Sequence, residues 1–201
     1  MSSKRRFLGA VMGGRIDRPS VGSATSVVTV DLMEKSGIYF PEAHQDPEKM
    51  AQLAATSYTI LGYDAIAPVF SVQQEAEAFG CEVNWGEKDS MPDLRKHPCR
   101  EVEDIKVPKD FLERPSCAVV LEAIKKLKVE YGSHAAIIGK VMGPWTLAYH
   151  LFGTSEFLIM TIDNPEKVKK ILTILKEIPV IFGNAQIKAG ADALTLADHA
   201  T

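Results

Sequence analysis

Two stretches of this chain repeat one another in order and in chemistry. Asp46-Pro-Glu-Lys49 leads through an apolar stripe into Gly62-Tyr-Asp-Ala-Ile66, and Asn164-Pro-Glu-Lys167 leads through another into Gly190-Ala-Asp-Ala-Leu194. An Asx side chain accepts the free amides of a helix's first turn, and a following proline has no amide to leave unsatisfied. Met50, Leu53, Ala54 and Leu61 fall at helical spacing in the first unit. Val168, Ile171, Leu172, Leu175, Ile178 and Phe182 do so in the second, where Pro179 is expected to kink the helix. Each glycine stops its helix and feeds a short buried strand. Repeated units of this kind require a parallel sheet with crossover helices.

The remaining segments fit the same rhythm. Ser26–Val30 is a β-branched run expected as the first strand, and Asp64–Val69 is the second. A short helix is expected over Gln73–Phe79, stopped by Gly80, with Cys81–Trp85 a strand of a small hairpin. Prolines at 92, 98, 108 and 115 and many charges mark an excursion over about 81–115. From Ser116 onward Val120, Ile124, Leu127 and Tyr131 share a helix face that ends at Gly132. Ala135–Val141 reads as the third strand, Gly143-Pro-Trp145 opens a short helix toward Gly153, and a fourth strand ends in Asp198-His199.

An open doubly wound sheet and a (β/α)8 barrel both accommodate this order. The nucleotide fingerprint of the first is missing, because Gly9-Ala-Val-Met-Gly-Gly14 precedes a strand and lacks the required spacing. The expected fold class is therefore α/β, the N-terminal half of a (β/α)8 barrel. Residues 1–201 are expected to form one partial domain of four βα units, incomplete at the C-terminus. Such a half leaves the fourth strand as an open edge, through which self-association is expected as one alternative.

Composition narrows the partners. With 46% hydrophobic residues, 24% charged and a net charge of −3, the chain lacks the basic surface that nucleic acid requires. Lys4-Arg-Arg6 is not followed by an apolar run of signal-peptide length, and no segment is apolar enough for a membrane span, so the cytoplasm is the expected compartment. Cys81, Cys99 and Cys117 are widely spaced and make no disulfide framework. His97-Pro-Cys99 has a zinc-ligand spacing, but within a polar segment without a strand pattern.

Ala65–Val83, Gly139-Lys-Val-Met-Gly-Pro-Trp-Thr-Leu147 and Ala191-Asp-Ala-Leu-Thr-Leu-Ala-Asp-His-Ala200 together resemble the uroporphyrinogen decarboxylase superfamily, from about Arg5 to the last residue. The resemblance implies a (β/α)8 barrel and two candidate activities. The decarboxylase branch carries an essential Asp in a Phe-Ser-Asp motif after the second strand and arginine clamps after the first. Here the motif reads Phe70-Ser-Val-Gln73, Ser71 stands at the Asp position, and no arginine lies between Arg18 and Arg95. The wording resembles instead the methylcobamide:coenzyme M methyltransferase branch. That implies methyl transfer from a methylcorrinoid on a carrier protein to coenzyme M, with a zinc ion activating the thiol. The zinc ligands implied are a His-x-Cys motif and a later Cys, both expected beyond Thr201, so the chain alone is expected to be inactive. A decarboxylase of porphyrin biosynthesis and a non-catalytic half-barrel or truncated product remain the alternatives.

Barrels build their chemistry at the carboxyl ends of strands. The candidate cavity-lining residues are therefore Ser71, Gln73 and Gln74 after the second strand, with Glu75 beside them. Met142 and Trp145 follow the third strand, and Asp198 and His199 follow the fourth. For each there is a structural alternative: first-turn polarity for the Gln and Glu residues, packing for Trp145, and capping of a turn for the Asp-His pair.

Overall fold

Both Asx-Pro signals start helices. In the computed structural model, which describes residues 1–198, helix α3 (Pro47–Thr59) begins where Asp46 Oδ1 accepts the amides of Glu48 and Lys49 at 2.8 and 2.9 Å. Asn164 does the same for Lys167 at the start of α8 (Pro165–Leu175). Ahead of them come α1 (Ser3–Val11) and α2 (Val30–Ser36). Between them lie β1 (Ala65–Ile66), α4 (Gln74–Ala78), β2 (Glu82–Asn84), β3 (Asp93–Lys96), α5 (Pro115–Tyr131), β4 (Ala136–Met142), α6 (Pro144–Phe152) and α7 (Thr154–Asp163). Helix α9 (Glu177–Ala189) and β5 (Ala193–Ala197) complete the described chain.

Strands β1, β4 and β5 form one parallel sheet in that order, with Ala65 opposite Ala136 and Ile138 opposite Ala193. Alternate residues of a strand point to opposite faces. Ile137 and Val141 enter the main core with Leu53, Ile124, Leu127, Ile171 and Phe182 from the helices. Ala65, Ala136 and Ile138 form a separate small cluster on the other face, closed by Phe7 of α1. Helices α3, α5 and α9 pack side by side over the first face. Met50, Leu53 and Ile124 are wholly buried there, and burial of such a side chain contributes roughly 1.5–3 kcal/mol.

The repeated aspartates occupy equivalent places. The backbone amide of Asp64 donates to the Val21 carbonyl at 2.7 Å, and its carboxylate accepts the Val21 amide at 2.9 Å. The amide of Asp192 donates to Ile137 at 2.7 Å, and its carboxylate accepts the Ile137 amide at 3.0 Å. Asp192 thus brackets the start of β4, and Asp64 brackets the extended segment at Val21 in the same way. Each also holds α1: Arg6 donates to Asp64 at 2.7 Å, and Lys4 donates to Asp192 at 2.8 Å. Arg18 adds two bonds of 3.0 Å to Asp64, and Lys128 adds one of 2.8 Å to Asp192. Burial alone would raise both acids. The Val21 amide with Arg6 and Arg18, and Lys128 with Lys4, outweigh it, so both sit below the usual carboxylate range.

Several expectations are corrected. The strand expected at Ser26–Val30 does not form: Thr29 Oγ1 caps the amide of Leu32, Asp31 sits in the first turn, and α2 starts at Val30. The segment that meets Asp64 is instead at Val21. Leu61 lies past the end of α3 and is largely exposed. The second hairpin strand, Asp93–Lys96, falls in a segment expected to be irregular; it pairs antiparallel with β2. Pro179 breaks rather than kinks its helix. Lacking an amide, it cannot serve the carbonyl of Leu175, where α8 ends, and it sits in the first turn of α9. Helices α1 and α7 were not expected from the sequence.

Replacing Asp64 by Asn leaves Arg6 with Asp17 as its remaining carboxylate and removes the charge from the bonds to Arg6 and Arg18, which is expected to lower the unfolding free energy by about 1–3 kcal/mol. Because the folded pKa of Asp64 is depressed, its contribution is present above about pH 4 and lost as the pH falls through the folded value. Urea titrations of both proteins from neutral to acid pH check this: the gap between them should narrow toward acid. Equal stability at neutral pH would contradict it.

Candidate functional site

The carboxyl end of β4 carries a lysine in an otherwise apolar strand. Lys140 falls on the same face as Ala136 and Ile138, away from the helices, and is 5% exposed. Its peptide is fixed from behind. The fully buried Gln186 of α9 accepts the Lys140 amide at 2.9 Å and donates to the Lys140 carbonyl at 2.8 Å. Gly139 makes room for that side chain, since a Cβ there would stand 2.4 Å from Gln186 Oε1. The register of Lys140 is therefore held by a buried bidentate amide.

Lys140 opens onto a cavity of about 280 Å³, whose other walls are Thr25, Ser26, Val28, Phe40, Phe70, Val72 and Met91. Among the described residues no ion pair or side-chain hydrogen bond holds its ammonium. Burial pulls its pKa down to about 8, and the nearby Glu75 carboxylate partly opposes this. Burial pushes Glu75 up to about 7, although it accepts the Met142 amide at 2.9 Å. His44 lies behind the cavity wall, stacked on Phe40 at 4.2 Å and on Trp85 at 5.6 Å. Burial first, then the charge of Lys140, lowers His44 to about 4, so the imidazole is neutral at pH 7. Among the described residues that line the cavity, Lys140 is the one cation.

The sequence-derived candidates are placed close by but differently. Ser71 donates to Gln74 Oε1, Gln73 Nε2 donates to the Pro92 carbonyl at 3.2 Å, and Ser116 donates to the Gln74 carbonyl at 2.8 Å. These polar groups after β1 are buried and bonded to one another or to backbone, as Glu75 is to Met142. Trp145 packs edge-on against Phe157 at 5.2 Å. Asp198 Oδ1 accepts the Thr146 amide at 2.8 Å, filling the cap position that Gly143 has no side chain to fill at the start of α6. The walls given above for the 280 Å³ cavity do not include Ser71, Gln73, Gln74, Met142, Trp145 or Asp198. His199 lies outside the described residues. Lys140 and the Gln186 bracket are the features the sequence reading missed; a lone lysine inside Ala135–Val141 is the available signal.

A metal centre finds little support here. Among the described residues, no group of three or more His, Cys, Asp and Glu is placed to hold a metal ion. His97 Nδ1 donates to the His150 carbonyl at 2.7 Å, and the amide of the buried Cys99 donates to Leu151. Burial holds Cys81 at about 12 and Cys99 at about 11, and also raises Cys117, so all are neutral thiols at pH 7. The residues present do not fit zinc. No helix among the described residues is long and apolar enough to cross a membrane. Iodoacetamide at pH 8 is expected to leave all three thiols unmodified in the folded protein and to label all three in denaturant, as read by intact mass. Rapid labelling of Cys99 in the folded protein would contradict this burial.

Comparison with known proteins places this architecture. The uroporphyrinogen decarboxylase (URO-D) family model matches residues 2–201. A methylcobamide:CoM methyltransferase of Methanosarcina barkeri is 36% identical over 196 residues, which cover 97% of this chain and 58% of that protein. A second of that name, from Methanosarcina acetivorans, is 35% identical over the same share. A uroporphyrinogen decarboxylase of Citrifermentans bemidjiense is 28% identical over 96% of the chain. A solved methyltransferase from Methanosarcina mazei superposes with a TM-score of 0.93 at 36% identity, covering 98% of this chain and 59% of that one. The chain thus spans a little under three-fifths of the length of these relatives, and its parallel sheet with backing helices is part of a (β/α)8 barrel. This chain belongs to the uroporphyrinogen decarboxylase family.

Proposed function

We propose that the chain serves a methyltransferase that moves a methyl group from a methylated corrinoid to the thiol of coenzyme M. The observation that carries this reading is the charge of the cavity at the strand ends: one cation, Lys140, among mostly apolar walls. A decarboxylase acting on a substrate with many carboxylates needs several guanidinium clamps. Arg18, the arginine nearest that position, is bound to Asp64 at the opposite end of the strands. The residue at the family's acidic position is Ser71, which is bonded to Gln74. A relative named as a methylcobamide:CoM methyltransferase is 36% identical, and one named as a uroporphyrinogen decarboxylase is 28% identical.

In this reading the chain's own residues bind and orient. Phe40, Phe70 and Val72 give the site apolar walls, which strengthen a charge interaction beside them. The buried Ser71, Gln73 and Gln74 hold the turn after β1 that carries Phe70 and Val72 into the wall. Zinc would lower the pKa of the substrate thiol. Its ligands are proposed to lie outside the described residues, and no step here passes through it. The methylated corrinoid is proposed to arrive on a carrier protein, with the cytoplasm as the compartment.

A second reading, a half-barrel that assembles with another copy along β5, is favoured by Leu194 and Leu196, which are 37% and 59% exposed on its edge. A stable dimer in sedimentation that dissociates on Leu196→Lys would support it; a monomer at all concentrations would exclude it.

The main proposal is tested by mixing the chain with the C-terminal portion of the M. barkeri relative, zinc, methylcobalamin and 2-mercaptoethanesulfonate. Loss of the methylcobalamin spectrum with formation of the methylated thiol is expected, with no coproporphyrinogen from uroporphyrinogen. Coproporphyrinogen formation, or no thiol-dependent demethylation by the reconstituted pair, would overturn it.

A further inference from the structure

We propose that Lys140, with the hydroxyls of Thr25 and Ser26, forms a monoanion-binding subsite for the sulfonate head of a small thiol, whose carbon chain lies against Phe40, Phe70, Val72 and Met91. The anion site stands on geometry alone; naming the ligand a thiol sulfonate rests on the methyltransferase reading above.

An ammonium set in a mostly apolar cavity wall is poorly solvated, and an anion beside it is favoured. Lys140 is 95% buried by residue surface yet has no ion pair within the described residues. The groups that face it do not supply one. Glu75 influences it through space, but its carboxylate accepts the Met142 amide rather than the ammonium. His44 is neutral, and both of its ring nitrogens are buried without a partner, so it neither competes for an anion nor adds a second charge.

The cavity supplies what the lysine lacks. Its polar wall is formed by Lys140, Thr25 and Ser26, with Thr25 Oγ1 and Ser23 Oγ sharing a bond of 3.2 Å. Hydroxyls and an ammonium are all donors to sulfonate oxygens. The volume of about 280 Å³ lies just under the roughly 300–1,000 Å³ typical of drug-sized ligands, which suits a ligand of few heavy atoms. One cation matches one negative charge, and the aromatic and thioether walls match a short carbon and sulfur chain. Gln186 and Gly139 fix the lysine's backbone, so the charge is presented without a loop having to order around it.

Calorimetry with the 201-residue chain and three probes tests this: methanesulfonate, 2-mercaptoethanesulfonate and uncharged 2-mercaptoethanol. Both sulfonates should bind, and 2-mercaptoethanol should bind at least ten-fold more weakly. Lys140→Met should weaken both sulfonates ten-fold or more, and Lys140→Arg should keep part of the affinity. Lys140→Met should also melt at or above the parent temperature, because a buried charge has been removed; this separates loss of binding from loss of fold. Equal sulfonate affinity in parent and Lys140→Met, or no sulfonate binding by the folded parent, overturns the proposal. Lysine-dependent sulfonate binding without thiol-dependent demethylation would leave the subsite standing and remove the methyltransferase reading. Demethylation with a KM for the thiol unchanged by Lys140→Met would do the reverse.

Discussion

The fold depends on two carboxylates, Asp64 buried and Asp192 half-buried, at the amino-terminal ends of β1 and β5. Asp64 and Asp192 each join a backbone bracket to a cation from α1, and these are long-range ties, spanning 58 and 188 residues. A parallel sheet has no hairpins to set its register, so something else must align neighbouring strands. Here the Asp side chain accepts the neighbour's amide while its own amide donates back. The same groups lay α1 across the strand ends, where Phe7 closes the inner cluster. Charge and packing at one end thus leave the opposite end free to carry chemistry.

That opposite end shows a graded use of polar groups. The residues after β1 are buried and satisfied mostly by one another, which makes the turn rigid. Glu75 ties this turn to the end of β4 through the Met142 amide, and Asp198 ties the end of β5 to α6 through Thr146. Gln186 then fixes β4 from the helical side at Lys140. Three separate strand ends are therefore locked relative to one another. Among the described residues the Lys140 ammonium has no ion pair, and affinity for an anion can arise there without a conformational cost.

Local signals made much of the architecture legible in the sequence. Asp46-Pro and Asn164-Pro act within one helical turn, and both start helices as read. The apolar run over Ala135–Val141 reads as a strand because burial on both faces needs it. The errors arose where two local signals competed. Ser26–Val30 is β-branched, but Thr29 as a cap and Gly37 as a left-handed stop outweigh that propensity and make α2. The site was less legible. Polar residues after strand ends can be read along the chain, but which of them meet a cavity depends on partners far away in sequence, such as Gln186 for Lys140. The duplicated Asp in the two repeats and the single lysine in a buried strand were both visible. Neither has a meaning until the fold supplies Arg6, Lys4 and the cavity.

A crystal structure of the chain grown with 2-mercaptoethanesulfonate addresses the central claim most directly. The account predicts sulfonate density within hydrogen-bond distance of Lys140 Nζ and of the Thr25 or Ser26 hydroxyl, with the carbon chain against Phe40 and Phe70. Density seated elsewhere, or Lys140 turned to pair with Glu75 in the presence of saturating ligand, would contradict it.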